Sequence, residues 1–169
     1  MTAPSRWLQD HLPAQRGSCL DVACGSGRNL RWLAAQGWQV TGVDRDAEAI
    51  EPLRAVADVI VADIEAGSWP LAGQTFDLVL VCNYLWRPLL GTLMSSVAPG
   101  GSLIYETFAN GQQRIGRPSR PDFLLQRAEL LTHLRGWDVT AFEDVFEPAG
   151  PGGVNARFVQ RVAARWPQL

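Results

Sequence analysis

Leu20-Asp21-Val22-Ala23-Cys24-Gly25-Ser26-Gly27-Arg28-Asn29 is the stretch that decides the fold of this chain. An apolar run ends in a turn that contains Gly25 and Gly27, and a helical pattern starts at Arg28. A strand that enters a glycine turn and then a helix presents backbone N–H groups and the positive helix end to a ligand. The stretch therefore predicts a nucleotide-type binding loop.

The alternation of strand and helix continues through most of the chain. Strands are predicted over residues 19–23, 39–43, 59–62, 76–82 and 102–107. Helices are predicted between them over residues 28–36, 47–56 and 88–97, with Gly37 ending the first. This order is typical of a parallel sheet covered on both faces, and the almost continuously apolar run 76–82 is its predicted central strand.

The last third of the chain changes character. A polar loop over residues 109–121 precedes a predicted helix over 121–134, and strands follow over 137–145 and 155–163. The Pro/Gly turn at 148–153 is too short for a parallel crossover, so these two strands should form an antiparallel hairpin. We expect an α/β, Rossmann-like three-layer sandwich with a mostly parallel seven-stranded sheet, built as one domain over residues 1–169.

Composition excludes several classes of protein. Hydrophobic residues make up 47% and charged residues 19%, a globular composition, and the net charge of −2 argues against a domain-wide surface for nucleic acid. No apolar run approaches the roughly 20 residues that span a bilayer, so we expect a cytoplasmic protein without a membrane segment. Three cysteines and two histidines have no metal-ligand spacing, so no metal site is expected.

Two positions discriminate between cofactor classes. Leu30 occupies the third position of the glycine pattern, where a dinucleotide site needs glycine or alanine for close helix packing. Asp44 ends the second strand, where a carboxylate accepts hydrogen bonds from two ribose hydroxyls in either class. The alternative interpretation is a tight turn and a solvated carboxylate with no ligand.

These residues resemble a known family, the class I S-adenosylmethionine-dependent methyltransferases, over nearly the whole chain. The stretch 20–29 is similar to the family's first motif, with Ala23 where most members have glycine, and Asp44 matches the ribose-binding acidic residue. Residues 62–65, 76–81 and 97–103 resemble further family segments. The family also ends in an antiparallel strand pair.

The resemblance implies S-adenosylmethionine as the cofactor. Asp63 and the following backbone N–H would then read the adenine edge. The cofactor-binding residues that it implies are Asp21, Ala23, Cys24, Gly25, Gly27, Asn29, Asp44, Arg45, Asp63, Ile64 and Cys82.

Catalytic candidates lie at the ends of the fourth and fifth strands. A sulfonium already activates its methyl group, so the protein mainly has to align the acceptor, and a base is needed only if the acceptor must lose a proton. Asn83 and Tyr84 are candidates after the fourth strand, where Tyr84 would wall the methyl group or orient the acceptor. Glu106 is the candidate carboxylate for base or acceptor-orienting work. The structural alternatives are a helix cap for Asn83, a core position for Tyr84 and a surface carboxylate for Glu106.

Three arginines in the loop after the fifth strand suggest the acceptor's charge. Guanidinium groups bind carboxylates or phosphates in a fork geometry. We therefore expect an anionic small-molecule acceptor, held by Arg117 with Arg114 or Arg120, although a solvated loop explains the same residues.

Two other functions remain open. One is a nicotinamide-dependent oxidoreductase, against which Leu30 and the lack of a hydride-transfer residue count. The other is a regulatory protein that binds S-adenosylmethionine without catalysis, because no residue pattern distinguishes it from an enzyme.

Overall fold

A computed structural model describes residues 3–150 and 155–168. Seven strands form one sheet in the order β3-β2-β1-β4-β5-β7-β6. The strands are β1 Ser18–Val22, β2 Gln39–Asp44, β3 Asp58–Val61, β4 Phe76–Cys82, β5 Val97–Phe108, β6 Asp138–Glu147 and β7 Arg157–Arg165. Neighbours among β1 to β5 pair in parallel, whereas β7 is antiparallel to both β5 and β6. The predicted sheet and its C-terminal hairpin are confirmed, and residues 151–153 of the predicted turn lie outside the described residues.

Helices cover the sheet in short segments. The α-helices are α1 Arg6–His11, α2 Arg28–Ala35, α3 Ala47–Ile50, α4 Leu90–Ser95 and α5 Glu129–His133. Four 3-10 turns lie at Glu51–Ala55, Arg87–Leu89, Gln112–Arg114 and Pro121–Phe123. Among the helices of the described residues, none is long and apolar enough to cross a membrane.

The core has two layers, one on each face of the sheet. Alternate residues of β4 divide between them, with Val79 and Val81 in one buried cluster and Leu78 and Leu80 in the other. Successive side chains of a strand point to opposite faces, so a strand buried on both faces must be apolar at nearly every position. This is why β4 is central, between β1 and β5.

The predicted helix over 121–134 is mostly wrong. Only Pro121–Phe123 and Glu129–His133 are helical; Leu124 is extended, and Ala128 has a positive φ of 54°. Leu124 and Leu125 are buried, and Leu125 forms an isolated bridge with Ala109. Burial of two leucines against the strand ends outweighs local helix propensity here.

Two other helix predictions are too long, and one helix was not predicted. Asp46 caps α3 as expected, by accepting a hydrogen bond from the backbone N–H of Ala49, but the α-helix ends at Ile50 before Pro52 and continues as a 3-10 turn. The helix predicted over 88–97 is a 3-10 turn followed by α4. Helix α1, near the N-terminus, had no predicted counterpart.

Candidate cofactor and acceptor site

The loops that follow β1 and β2 meet at the carboxyl end of the sheet. The backbone N–H of Gly25 donates to Oδ2 of Asp44 at 2.7 Å, and the N–H of Cys24 donates to the carbonyl oxygen of Val43 at 3.1 Å. Open α/β sheets bind ligands at this edge, beyond the carboxyl ends of their strands. The predicted glycine turn and the predicted ribose-binding residue are therefore adjacent.

The surroundings of the two glycines in the turn differ, so a side chain would have a different effect at each position. Gly25 has a φ of +53°, and a Cβ added there would meet no atom within 4 Å, so this face of the loop is open. Gly27 has a φ of +78°, and its Cβ would lie 2.5 Å from a methyl group of Leu53. Gly25 thus leaves room for a ligand, whereas Gly27 lets the turn pack on the core.

Asp44 is half-buried and fixed by backbone groups. Its Oδ2 accepts from Gly25, and its Oδ1 accepts from the backbone N–H of Asp46 at 2.9 Å. A carboxylate has about four lone-pair positions, so two acceptor positions remain for a ligand. Arg45, the next residue, is exposed.

Asp63 follows β3 and is exposed. Its Oδ1 accepts from the backbone N–H groups of Glu65 and Ala66, at 3.0 and 3.2 Å, and these hydrogen bonds lower the pKa of Asp63. The carboxylate is therefore ionised and oriented. The side chain of Ile64 is buried in the core, so only its backbone is a candidate for ligand contact.

Asp21 is a buried carboxyl group at the centre of the sheet, in β1. Its Oδ2 has no hydrogen-bond partner among the described residues. Burial raises the pKa of Asp21 to about 7, although the nearby Arg28 guanidinium opposes the rise. Buried acceptors normally have partners, so an unpartnered oxygen beside a ligand loop fits a ligand that brings positive charge or N–H groups.

The predicted contacts Cys24 and Cys82 are uncharged thiols. Burial raises the pKa of both thiols. The carboxylate of Asp21 raises the pKa of Cys24 further, and the carboxylate of Glu106 raises that of Cys82. Cys24 lies under β2, with its sulfur 2.9 Å from where a Cβ on Gly42 would be. Both thiols are therefore packing groups at this edge.

Asn29, a predicted cofactor residue, is occupied by the chain itself. Its side chain is buried, and Oδ1 accepts a 2.8 Å hydrogen bond from the backbone N–H of Ser5. The amide oxygen thus connects α2 to the N-terminal segment, residues 3–11, and a contact of Asn29 with the cofactor stays a prediction.

Asn83 and Tyr84, which follow β4, differ in whether they line the large cavity described below. Asn83 is exposed, has a positive φ of 56°, lines the large cavity described below, and donates from its backbone N–H to the carbonyl oxygen of Glu106 at 2.8 Å. Tyr84 does not line that cavity. Burial raises the pKa of the Tyr84 hydroxyl, and the carboxylate of Glu65 raises it further, so the hydroxyl stays protonated.

Glu106 is only 1% exposed, which contradicts the surface alternative. Its Oε1 accepts from the Ser5 hydroxyl at 3.0 Å, and its Oε2 accepts from Arg161 and Arg157 at 3.1 and 3.3 Å. Both carboxylate oxygens of Glu106 are thus held by side chains of the protein itself. Glu106 also lines the cavity described below, and its role as a base or an acceptor-orienting carboxylate stays a prediction.

A cavity of about 1820 Å³ lies over the ends of β4 and β5. The N-terminal segment, the loop after β5 and the hairpin of β6 and β7 form its walls. Arg117 lines it, whereas Arg114 and Arg120 do not, and Arg120 is paired with Asp122 at 2.8 Å on the surface. Of the three predicted acceptor-binding arginines, Arg117 alone lines this cavity, and its contact with an acceptor stays a prediction.

Charged residues of the hairpin also line this cavity and were missed. Arg161 and Arg157 lie opposite Glu143 and Glu147 in the β6–β7 register and form ion pairs with them. A signal in the sequence is the matching four-residue spacing of the two glutamates and the two arginines. Glu143, Arg157 and Arg161 lie in the predicted strands, Glu147 lies two residues beyond the first, and none of the four was a predicted site residue.

Comparison with known proteins identifies the family. Residues 19–101 match the family described as "Methyltransferase domain", a match that begins in β1 and includes the glycine turn, Asp44 and Asp63. The chain belongs to the class I S-adenosylmethionine-dependent methyltransferases. The predicted family and its cofactor, S-adenosylmethionine, are thus confirmed, while the residues that hold the cofactor remain predictions.

Among curated relatives, a malonyl-acyl-carrier-protein O-methyltransferase of Salmonella typhimurium is 30% identical over 140 residues. The match covers 73% of this chain and 55% of that protein, so the chain spans about half the length of this relative.

Two solved structures have the same fold. TehB from Haemophilus influenzae gives a TM-score of 0.74 at 17% identity, covering 95% of this chain and 61% of that chain. An S-adenosylmethionine-dependent methyltransferase from Methanosarcina mazei gives 0.73 at 16% identity, covering 99% of this chain and all of that chain. At such identities the likeness concerns the fold.

Proposed function

We propose that this methyltransferase-family chain transfers a methyl group from S-adenosylmethionine to a small-molecule acceptor. The observation that carries the proposal is the open face of Gly25 beside the fixed carboxylate of Asp44. A nucleoside needs this combination, because its ribose requires a hydrogen-bond acceptor and its bulk requires a backbone without a side chain.

Three carboxylates would hold the cofactor. Asp44 would accept from the ribose hydroxyls with its remaining lone pairs, and Asp63 would accept from the adenine amino group. Asp21, whose buried Oδ2 lacks a partner, would face the α-ammonium group of the methionine part. When bound, the cofactor supplies an electrophilic methyl group, so the chain's own task is to orient the acceptor and exclude water.

Asn83 is the residue that we assign to orienting the acceptor. It is exposed, it lines the cavity at the end of β4, and its backbone has a positive φ of 56°. With Glu106 ion-paired and Tyr84 outside the cavity, the described residues support alignment as the main contribution to the rate. An acceptor that is already deprotonated, such as a carboxylate, needs no base.

An anionic acceptor agrees with the arginines of the cavity. Arg117 lines it, and Arg157 uses only two of its five N–H groups on Glu147 and Glu106. The side chain of Gln112 connects the loop of Arg117 to β7 beside Arg157, because it donates to the carbonyl oxygen of Arg117 and accepts from the N–H of Phe158. The curated relative's name, a malonyl-acyl-carrier-protein O-methyltransferase, also supports a carboxylate acceptor.

The test has two steps. Thermal unfolding with S-adenosylmethionine, S-adenosylhomocysteine or NAD compares the cofactors, and a ligand at about 100 times its dissociation constant should stabilise by about 2.7 kcal/mol. Stabilisation by NAD alone would favour the oxidoreductase and refute the proposal. Transfer of a labelled methyl group to a panel of carboxylates and matching amines then separates an enzyme from a regulatory binder.

Two matched variants link the outcome to the site. Gly25→Ala should abolish stabilisation by S-adenosylhomocysteine, because its methyl group would occupy the open face of the loop. Arg117→Ala should weaken acceptor binding while leaving S-adenosylhomocysteine affinity at the wild-type value. Equal loss of both affinities in Arg117→Ala would refute its assignment to the acceptor.

A further inference from the structure

Ser5 joins the N-terminal segment, defined as residues 3–11, to two parts of the ligand edge. Its backbone N–H donates to Oδ1 of Asn29 at 2.8 Å, and its hydroxyl donates to Oε1 of Glu106 at 3.0 Å. All three residues are at most 4% exposed. One serine thus bridges the helix that follows the glycine turn and the end of β5.

The same serine starts helix α1. Its hydroxyl oxygen accepts from the backbone N–H of Leu8 at 3.3 Å, as an N-cap residue does. The position of α1 is therefore coupled to the buried carboxylate of Glu106. A hydroxyl is needed for this, because it must donate to one group and accept from another.

Two further contacts hold the N-terminal segment in place. Trp7 is buried, and the guanidinium of Arg161 lies 5.0 Å from its ring centroid. Arg28, at the start of α2, donates to the carbonyl oxygen of Ala3 at 3.4 Å. The N-terminal segment is thus fastened to α2, β5 and β7.

The N-terminal segment also forms one wall of the acceptor cavity. Residues 3–7, Asp10 and His11 line it, together with Arg28 and Asn83. Arg28 opens the helix that follows the glycine turn, and Asn83 is the proposed acceptor-orienting residue. The N-terminal segment therefore borders the acceptor cavity and contacts, through Arg28 and Asn29, the helix that follows the glycine turn.

We propose that Ser5 is a positioning residue that holds the N-terminal segment as a wall of the acceptor cavity, beside the helix that follows the cofactor loop. The inference rests on the proposed function, since it assumes that the glycine turn holds S-adenosylmethionine. Without the Ser5 hydroxyl, Oε1 of Glu106 loses its buried donor and α1 loses its cap. The wall then moves away from the ligand edge, and bound ligand dissociates faster.

Binding of S-adenosylhomocysteine to the full chain tests this, with calorimetry for affinity and stopped flow for dissociation. Ser5→Ala should weaken affinity about tenfold, the size expected when a buried charged acceptor loses its donor, mostly through faster dissociation. Ser5→Thr keeps the hydroxyl and should restore the wild-type values. Ser5→Gly keeps a favourable helix cap but lacks the hydroxyl, so it should behave like Ser5→Ala.

Ser95→Ala is the matched control. Ser95 is exposed, and its hydroxyl donates to the carbonyl oxygen of Gly91 within α4, so its loss should leave ligand dissociation unchanged. Hydrogen exchange adds a readout without ligand: amides of residues 6–11 should exchange faster in Ser5→Ala than in the wild-type protein.

The outcomes separate the two proposals. Wild-type binding with unchanged dissociation from Ser5→Ala and Ser5→Gly would overturn the role of Ser5 alone, even if their melting temperatures fell. A wild-type protein that binds no S-adenosylhomocysteine would overturn the proposed function, and the role of Ser5 with it.

Discussion

The backbone N–H of Gly25 donates a 2.7 Å hydrogen bond to Oδ2 of Asp44, so the ligand loop after β1 is held by the residue that ends β2. Oδ1 of the same carboxylate accepts from Asp46. Asp44 therefore orders the loop and is also the proposed ribose acceptor. Its two roles use different lone pairs of one group.

Asp44→Asn should impair both roles. An amide offers only one acceptor oxygen, so one of the two backbone N–H groups would face another donor. We expect unfolding free energy to fall by about 1–3 kcal/mol and S-adenosylhomocysteine affinity to fall at least about tenfold. Calorimetry and urea unfolding measure these, with the exposed Asp58→Asn in β3 as control. Unchanged affinity would show that Asp44 does not contact the ribose.

Ala23→Gly should stabilise the protein. Ala23 has a φ of +52°, a left-handed conformation that costs a non-glycine residue about 1–2 kcal/mol. Glycine removes this strain. It also makes the unfolded chain more flexible, which lowers the unfolding free energy by about 0.4–1 kcal/mol, so the net gain in stability is about 0.5–1 kcal/mol. The urea midpoint should rise at constant slope. Ala35→Gly, at an exposed helical position, should lower the urea midpoint. A lower midpoint in both variants would contradict backbone strain at Ala23.

Asp21 should make the free protein less stable as pH rises. Its pKa is about 7 when folded and about 3.8 when unfolded, so between these values the unfolded state loses a proton that the folded state keeps. The stabilisation is complete below the unfolded value and is lost as pH rises through about 7. Urea unfolding at about pH 5 and about pH 8 measures the fall, which should be a few kcal/mol smaller in Asp21→Asn. Equal pH dependence in both proteins would disprove the assignment.

Arg161→Met should be strongly destabilising. Arg161 is 12% exposed and donates to Glu106, Glu143 and Glu147, so its loss leaves the buried Glu106 with one guanidinium fewer. Breaking a buried ion pair in this way costs about 3–5 kcal/mol. Arg54→Met removes an exposed pair with Glu51 and should cost at most about 1 kcal/mol. Similar losses in the two variants would mean that the buried cluster is not a stability element.

Local sequence patterns predicted most of the sheet and the loops at its carboxyl edge. The predicted strand 76–82 coincides with β4, because a strand buried on both faces has to be apolar throughout. Asp44 was predicted from its position at the end of a strand, and Asp63 from the resemblance to the family; both follow neighbouring parallel strands in the structure. The hairpin followed from the short turn between two strand patterns.

Features that depend on contacts between distant residues could not be predicted from local sequence patterns. Helix α1 has six residues and no strong periodicity, and it is held by Asn29, Glu106 and Arg161. The extended conformation of Leu124 likewise follows from tertiary burial. Glu106 looked like a free carboxylate because its partners lie 51 and 55 residues away in the chain.

The sequence by itself determined the order of elements, the glycine turn and the residues at the strand ends, because these depend on periodicity and on neighbouring residues. Only the tertiary structure decided which of those residues face open space and which are occupied by the protein. Gly25 was left open, Asn29 and Glu106 were taken by Ser5 and the hairpin arginines, and Arg117 was separated from Arg114 and Arg120. The physical reason is that burial and ion pairing depend on which distant segments pack against a residue, and a local pattern does not specify those neighbours.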